Sequence, residues 1–396
     1  MSENEQNIEV SIIMPSYNKY PLNLFSLYSL ENQTFDHSKM EVIFIDDAST
    51  DQTQEELQSY RPPFHYRYIR NEQNLGRAKV RNLGIQSSRG KILIFLDAEM
   101  LCEPDFVRNH YMGHQENEKS ILTGIMHSEN IITCIYPENR TSILPKIVSK
   151  KSKKLKRRLK KYDPSGHSPF PILKKSDIPN QSYKDWIVRG ESWYQNITQR
   201  YGQDLTGFQF PWMAFLTGNV SISKNFIVEA GLFDEEFIKY GYEDWELGYR
   251  LYKLGGQFFA RDNLATYHQE HSIGENKRME AIENFALFLS KHPDIDVMIL
   301  GLELARITDL YTMNKILYEY KRLTQNRAFK NFQVRFAAIL EAINLMLQID
   351  VRHISILKAA GYGTAEKEKL AKNFKRMKST GDYPNLCGLI NDLFKN

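Results

Sequence analysis

The sequence has few cysteines, little charge imbalance and no long apolar run. Its three cysteines are far apart and odd in number, so neither a zinc ribbon nor a disulfide framework is indicated. The sequence contains no run of about 18 apolar residues, so it predicts no membrane-spanning helix. The formal net charge of +4 is too small to indicate a nucleic-acid partner by itself. These absences favour a reducing compartment and restrict any membrane contact to a peripheral one.

The first residues, Met-Ser-Glu-Asn-Glu-Gln, are polar and acidic, unlike the basic start and apolar run of a signal peptide. We therefore expect a cytoplasmic location, with peripheral contact at the inner face of the membrane left open. The chain has 396 residues, of which 42% are hydrophobic and 25% charged. This length and composition are typical of a globular protein with more than one domain.

Short apolar runs alternate with helical patterns over the first 130 residues. The runs 10–14, 42–45 and 92–96 lack period-two alternation. Such runs are typical of strands that are buried on both faces of a parallel sheet. The segment 79–86 has helical spacing. This alternating order predicts an open, mostly parallel α/β sheet flanked by helices.

Two later regions differ in composition. A basic run from Lys146 to Lys161 is followed by a Pro/Ser/Gly segment, which predicts an insertion over about 146–176. The basic run could bind an anionic acceptor or an acidic membrane surface, or remain solvated and mobile. Aromatic residues are not interleaved with its cations, which argues against RNA. From 272 onward the spacing predicts a helical region that could pack on the rest of the chain, bind the acceptor or form a homo-oligomer.

Polar side chains follow the predicted strands at the point where each strand ends. They are Pro15, Tyr17 and Asn18 after the run 10–14, Asp47 after the run 42–45, and Asp97 and Glu99 after the run 92–96. Ligands of open α/β sheets bind outside the carboxyl ends of the strands, so we expect these residues to share one crevice. Asp97 and Glu99 could together bind a hard divalent ion, which would neutralise a diphosphate leaving group. Asp47 could equally cap the next helix.

The loop before the predicted helix at 79–86 adds polar and cationic groups on the same side. Asn74, Arg77 and Arg81 are the candidates for contact with phosphate. Arg77 and Arg81 are four residues apart and share a helix face. The alternative is that these two arginines simply face water.

A second group of acids lies at the predicted start of a buried helix. Glu243, Asp244 and Glu246 fall in its first turn, where the helix dipole alone would stabilise them. A chemical role is the alternative, because a single displacement by an acceptor hydroxyl needs one base. A carboxylate fixed at a buried helix start could serve as that base. Two histidines, His268 and His271, follow three residues apart.

Four segments resemble, in the same order, the motifs of family 2 glycosyltransferases. They are VSIIMPSYN at 10–18, VIFIDDASTD at 42–51, NLGRAKVRN at 74–82 and IFLDAE at 94–99. The resemblance implies a GT-A fold and a nucleoside diphosphate sugar donor. It implies that Pro15, Tyr17 and Asp47 hold the base, usually uracil. It also implies that Asp97 and Glu99 bind Mn²⁺ or Mg²⁺, although Glu99 stands where the usual motif ends in Asp.

The later segments carry a second resemblance. YGYEDWELGYRL at 240–251 is similar to the Glu-Asp motif of bacterial polysaccharide synthases and galactosyltransferase-like C-terminal modules. By this likeness Asp244 is the catalytic base and Glu243 holds the acceptor. YHQE at 267–270 resembles a segment of chondroitin-synthase-like enzymes that supplies a metal-binding histidine. The likeness makes His268 the third metal ligand and leaves His271 open.

The sequence thus predicts an inverting GT-A transferase that moves a sugar from a UDP-sugar to an acceptor hydroxyl. The acceptor could be a cell-surface polysaccharide, a teichoic-acid-like polymer, another glycoconjugate or a peptide, and no nucleic-acid partner is expected. We expect a catalytic domain over 1–271, with a nucleotide-binding half at 1–130 and an acceptor half at 177–271, and a helical region over 272–396. A nucleotidyltransferase is disfavoured because no glycine-rich phosphate loop follows the first strand. A non-catalytic sugar-binding protein is disfavoured because the acids of both motifs are intact.

Overall fold

A computed structural model describes residues 7–125, 129–188, 193–271, 277–351 and 355–395. The chain divides into two compact units. The first draws its described residues from Met1–Gly207, Pro211–Ile238 and Glu243–Glu275, and the second from Phe208–Phe210, Lys239–Tyr242 and Asn276–Asn396. Among the described helices, none combines the length and the apolar character needed to cross a bilayer.

The strands all belong to the first unit. In chain order they are β1 (Val10–Ser16), β2 (Met40–Asp46), β3 (His65–Arg70), β4 (Ile92–Leu96), β5 (Met100–Cys102), β6 (Ser120–Thr123), β7 (Glu129–Ile131), β8 (Cys134–Ile135), β9 (Phe170–Pro171), β10 (Ile187–Val188), β11 (Asn219–Ser223), β12 (Gln257–Ala260) and β13 (Thr266–Gln269).

The helices occur in both units. In chain order they are α1 (Leu22–Glu31), α2 (Thr53–Leu57), α3 (Arg77–Ser87), α4 (Phe106–Gly113), α5 (Arg140–Val148), α6 (Lys153–Leu159), α7 (Trp193–Tyr201), α8 (Lys224–Glu229), α9 (Glu243–Lys253), α10 (Lys277–Lys291), α11 (Ile295–Met298), α12 (Gly301–Leu304), α13 (Leu310–Thr324), α14 (Lys330–Gln348), α15 (Ile356–Ala359), α16 (Thr364–Thr380) and α17 (Pro384–Lys395).

A seven-stranded sheet forms the core of the first unit. Its order is β12-β6-β11-β4-β1-β2-β3. The four strands β4, β1, β2 and β3 are parallel, whereas β11 runs antiparallel to both β4 and β6. Every residue of β2 and β4 is buried, as expected for strands covered on both faces. The predicted mostly parallel sheet flanked by helices is confirmed.

Two glycines shape helix α3 and its approach to this sheet. Gly76, immediately before the helix, adopts a φ of +83°, which favours glycine. A Cβ on Gly84 would collide with the side chain of Ile13 on β1. The predicted helix at 79–86 is thus part of α3, and its first turn lies near the carboxyl end of β1 and β2.

A four-stranded sheet of order β10-β7-β13-β5 brings the last strand of the first unit next to the segment that follows β4. The strand β13 pairs antiparallel with β5 and places His268 opposite Met100. The same strand pairs parallel with β7. Because β5 begins directly after Glu99, this pairing carries a histidine to the acidic turn that ends β4.

The basic run contains a helix that packs against other elements of the first unit. The helix α6 is capped by Ser152, whose hydroxyl accepts from the backbone N–H of Leu155. Leu155 is buried in a cluster of apolar side chains from α5, β8 and their neighbours. Arg158 donates to the buried carboxylate of Asp177. The segment therefore has defined secondary structure within the predicted insertion.

The second unit is built from the helices after α9. On α14, Phe336, Ile339 and Ile343 are buried at helical spacing. The amide of Asn344 donates to the carbonyl of Met298, which ties α14 to the end of α11. The C-terminal helical region that the spacing predicts is present in the described residues.

Candidate functional site

One carboxylate and two imidazoles meet where β4 and β13 end. One ligand atom each of Glu99, His268 and His271 lies within 4.8 Å of the others, a spacing suited to a shared metal ion. The pairing of β13 with β5 explains why residues so distant in sequence meet. His271, whose role the sequence left open, is part of the cluster. Asp97 is not part of this group of described residues.

Lys19 completes the cluster from the turn after β1. Its Nζ lies 2.9 Å from Glu99 Oε1 and 3.0 Å from His271 Nε2. His271 Nε2 is also 3.1 Å from Glu99 Oε1. Burial alone would raise the pKa of Glu99, but the hydrogen bond with His271 and the ammonium of Lys19 hold that pKa well below its usual range. Sequence reasoning missed Lys19, although it named Asn18 beside it.

Asp97 lies at the end of β4 and is more open than Glu99. Its side chain is 37% exposed, and its Oδ1 is 3.8 Å from Nη2 of Arg81. A Cβ on Gly218 would lie 3.1 Å from Asp97 Oδ2 and 2.6 Å from a side-chain carbon of Ile125. The absence of a side chain at Gly218 therefore leaves space beside the carboxylate. A ligand could reach Asp97 from solvent.

The two predicted acceptor-side residues begin α9, and Arg81 connects them to Asp97. Arg81 Nη1 donates to Glu243 Oε1 over 2.8 Å, and both side chains are only 4% exposed. Burial and the neighbouring Glu243 raise the pKa of Asp244 to about 7, while Arg81 opposes part of that rise. Arg81, predicted to contact donor phosphate, is thus buried within an ion pair of the protein.

The third acid of this helix turn has a structural partner. Glu246 forms a two-contact ion pair with Arg250, whose Nε and Nη2 each donate over 2.7 Å. The same guanidinium also donates to the carbonyl oxygens of Ala230 and Leu232. Glu246 therefore secures the loop before α9 and leaves Glu243 and Asp244 as the acids at the site.

A close helix contact fixes where α9 begins. The helix packs on the 3-10 turn Pro211–Ala214. A Cβ on Gly248 would collide with the carbonyl oxygen of Trp212 and lie 2.9 Å from Cβ of Phe215. The glycine lets the backbones approach directly, and the rigid packing holds the first turn of α9 in place.

The remaining predicted donor residues lie at the ends of β1 and β2. Tyr17 is 47% exposed and Pro15 is partly buried. The side-chain oxygen of Asn18 accepts from the backbone N–H of Thr50, which links the two strand ends. Asp47 accepts from the side chain of Asn71 and from two backbone N–H groups.

The two backbone donors to Asp47 are those of Leu75 and Gly76, so its carboxylate holds the loop that leads into α3. Asn74 on this loop and Arg77 at the start of α3 are exposed. The structure thus brings the predicted donor residues to the carboxyl edge of β1, β2 and β4. It gives Asp47 and Asn18 structural hydrogen bonds there, and their contact with a nucleotide stays a prediction.

The mixed sheet with its flanking helices is a GT-A-like fold. A family model described as glycosyl transferase family 2 matches residues 11–177. A second model, described as the N-terminal domain of galactosyltransferase, matches residues 200–272. The predicted enzyme class, a glycosyltransferase, is confirmed.

Individual relatives agree with these models. The uncharacterized glycosyltransferase YfnE of Bacillus subtilis (strain 168) is 29% identical over 98% of this chain and 97% of its own length. Escherichia coli chondroitin synthase is 26% identical over 68% of this chain but only 36% of its own length. Among solved structures, S. aureus TarS 1-349 in complex with UDP has a TM-score of 0.49 and 14% identity, and the match covers 98% of this chain and 92% of that one. The chain is thus similar to family 2 glycosyltransferases over residues 11–177 and to the N-terminal domain of galactosyltransferase over residues 200–272, and its relatives are glycosyltransferases.

Proposed function

We propose that the protein transfers a sugar from a UDP-sugar to an acceptor hydroxyl with inversion at the sugar carbon. A divalent ion would be held by Asp97, Glu99 and His268, with His271 as a further ligand. The observation that carries the proposal is the spacing of Glu99, His268 and His271, whose ligand atoms all lie within 4.8 Å of one another. These side chains stand at the carboxyl edge of the sheet, where such folds bind ligands.

The residues present fit a divalent transition-metal ion. Imidazole nitrogens suit transition metals, whereas Mg²⁺ prefers oxygen ligands and water. The two histidines therefore favour Mn²⁺ over Mg²⁺. When bound, the ion would neutralise charge on the departing diphosphate. Lys19 places a fixed positive charge at the same point, 2.9 Å from Glu99.

Asp244 is the proposed base. A group with a pKa near the working pH is best suited to accept a proton in the transition state, and that of Asp244 is raised to about 7. Glu243, held by Arg81, would orient the acceptor. A single displacement with one base inverts the configuration, so the product anomer reports on this assignment.

The side chains that we propose to contact the donor are mostly exposed. The ring of Tyr17 is open to stack on a base, and Pro15 and Asp47 lie beside it at the strand ends. Asn74 and Arg77 are exposed and could reach the phosphates. For Arg81 we propose a positioning role, because its guanidinium already pairs with Glu243. A cell-surface glycan or polymer remains the proposed acceptor class.

The metal assignment can be tested without turnover. Isothermal titration of the full chain with Mn²⁺ should show one site, and His268→Ala and His271→Ala should each weaken binding by at least about tenfold. His167→Ala is the matched control, because His167 is exposed elsewhere in the first unit. Unchanged Mn²⁺ affinity in both site variants would refute the ligand set.

The reaction itself is tested with a panel of nucleotide sugars. We expect metal-dependent release of UDP, and proton NMR of the transfer product should show the anomer opposite to that of the donor. Asp97→Ala should lose this turnover. Retention of the donor anomer, full turnover by Asp97→Ala, or release of pyrophosphate in place of UDP would each overturn the proposal.

A further inference from the structure

The segment from Arg140 to Lys161 concentrates positive charge on the first unit. It carries eleven cations and no acid, although the formal net charge of the whole chain is only +4. The rest of the chain is therefore net acidic. Seven of these cations are exposed, and we call them the basic face: Lys146, Lys151, Lys153, Lys156, Arg157, Lys160 and Lys161.

The inner side of α6 fixes the orientation of this segment. Leu155, Arg158 and Leu159 have the spacing i, i+3, i+4 and therefore share one side of the helix. Leu155 is fully buried and Leu159 packs against the same apolar cluster. The guanidinium of Arg158 lies 5.3 Å from the ring of Trp186, and its Nη2 donates to Asp177 over 2.9 Å. The helix is thus anchored, and its other side must face solvent.

The outer side carries only cations. Lys153, Lys156, Arg157 and Lys160 follow at i, i+3, i+4 and i+7, which places them on one helical face. All four are exposed, and within the described part of the chain none of them forms an ion pair. Like charges at this spacing repel each other. An anionic partner would relieve that repulsion.

We propose that the basic face binds the surface of a membrane that contains anionic lipids. Six of its seven cations are lysines, whose compact charges suit a diffuse anionic surface, whereas arginine suits bidentate recognition of single groups. The segment from Arg140 to Lys161 has no aromatic residue to stack on bases or sugar rings. Because these cations project from one exposed helical face, a planar surface can approach them together. Val148, two residues after Lys146 and 61% exposed, adds an apolar contact.

The test is co-sedimentation of the full chain with lipid vesicles, which requires no turnover and is independent of the proposed reaction. Vesicles of phosphatidylcholine with about 30% phosphatidylglycerol should bind the protein at low salt and release it at about 0.5 M salt. Phosphatidylcholine vesicles alone should not bind it. The triple variant Lys153→Gln, Lys156→Gln, Arg157→Gln should lower the partition coefficient at least about tenfold.

A matched control removes the same charge from another exposed helix. Lys367, Lys369 and Lys372 on α16 are exposed but alternate with acids, and their change to glutamine should alter partitioning by less than about twofold. Circular dichroism verifies that both variants fold. Equal loss of binding in both variants, or binding to phosphatidylcholine alone, would overturn the proposal. So would tighter binding of soluble polyphosphate than of vesicles, because the occupant would then be an anionic polymer.

Discussion

Arg81 and Glu243 form a buried ion pair between two segments that lie far apart in the sequence. Arg81 Nη1 donates to Glu243 Oε1 over 2.8 Å, and each side chain is 4% exposed. Arg81 belongs to α3, which follows the donor-side loop, whereas Glu243 begins α9 beside Asp244. A second contact from Arg81 reaches Asp97 at 3.8 Å. One guanidinium therefore links the acids of the donor side to those of the acceptor side.

Loss of this arginine should destabilise the first unit strongly. Arg81→Met leaves the buried Glu243 carboxylate without its partner, which typically costs about 3–5 kcal/mol. Urea unfolding followed by tryptophan fluorescence measures this, since all four tryptophans fall in the residue ranges of the first unit. The double variant Arg81→Met, Glu243→Gln should lose less than the sum of the single changes.

The control for that experiment is Lys119→Met. Lys119 pairs with Glu229 over 3.8 Å, and the two side chains are 44% and 53% exposed. Solvent screens such a pair, so its loss should cost no more than about 1 kcal/mol. Similar losses of stability in Lys119→Met and Arg81→Met would contradict the special role of the buried pair.

Turnover should depend on pH through Asp244. The base must be ionised, so kcat/KM should rise about tenfold per pH unit on the acid side and level off above about pH 7, the pKa to which burial and Glu243 raise this carboxyl. Glu243→Gln removes a negative neighbour and should move this limb to lower pH. Asp244→Asn should reduce kcat by roughly 10²–10⁴-fold.

Asp262→Asn is the control for the pH profile, because Asp262 is an exposed acid on the 3-10 turn before β13. Its profile should match that of the unmodified protein. A Glu243→Gln enzyme whose acid limb does not move would show that another group sets the profile.

The raised pKa of Asp244 should also make the free energy of unfolding depend on pH. The folded protein holds this proton up to about pH 7, whereas the unfolded chain releases it near the ordinary carboxyl pKa of 3.8. The folded state therefore binds more protons between these values, and stability from this group falls as pH rises through that window. Asp244→Asn should melt like the unmodified protein near pH 4.

Above pH 7 the same variant should be the more stable protein, by a few kcal/mol and at most about 4 kcal/mol. Melting temperatures followed by tryptophan fluorescence across this pH range measure the difference. A variant that is less stable at pH 8 than the unmodified protein would mean that the Asp244 carboxylate is stabilised by its surroundings.

The sequence predicts that the donor-side candidates lie at one edge of the sheet, for a local reason. Residues such as Asp97 directly follow apolar runs, and parallel strands necessarily bring their carboxyl ends to one edge. His271 and Lys19 could not be paired in this way. Their meeting depends on β13 pairing with β5, and strands of two to four residues leave almost no periodic signal.

The same limit applies to Arg81 and to the basic run. The sequence predicts that Arg81 either contacts phosphate or faces solvent, and only the tertiary structure brings Glu243 within 2.8 Å of it.

In the basic run, Leu155 and Leu159 are four residues apart and surrounded by cations. Their apolar side is therefore too narrow to be recognised as an amphipathic pattern in the sequence. Burial of Leu155 shows which side of the helix faces the protein.

The contact between α9 and the turn before β11 offers the sharpest test of how the base is positioned. A methyl group on Gly248 would collide with the carbonyl oxygen of Trp212, which is backbone and cannot swing aside. Gly248→Ala should therefore shift α9, cost about 1–3 kcal/mol and lower kcat more than it raises KM for the donor. Steady-state kinetics and urea unfolding measure both effects.

Gly388→Ala is the matched control: this glycine lies within α17 with no atom within 4 Å of an added Cβ. Alanine there should leave kcat unchanged and stabilise its helix by up to about 1 kcal/mol. If Gly248→Ala also leaves kcat unchanged while stability falls, α9 does not position the base and Asp244 loses its proposed role.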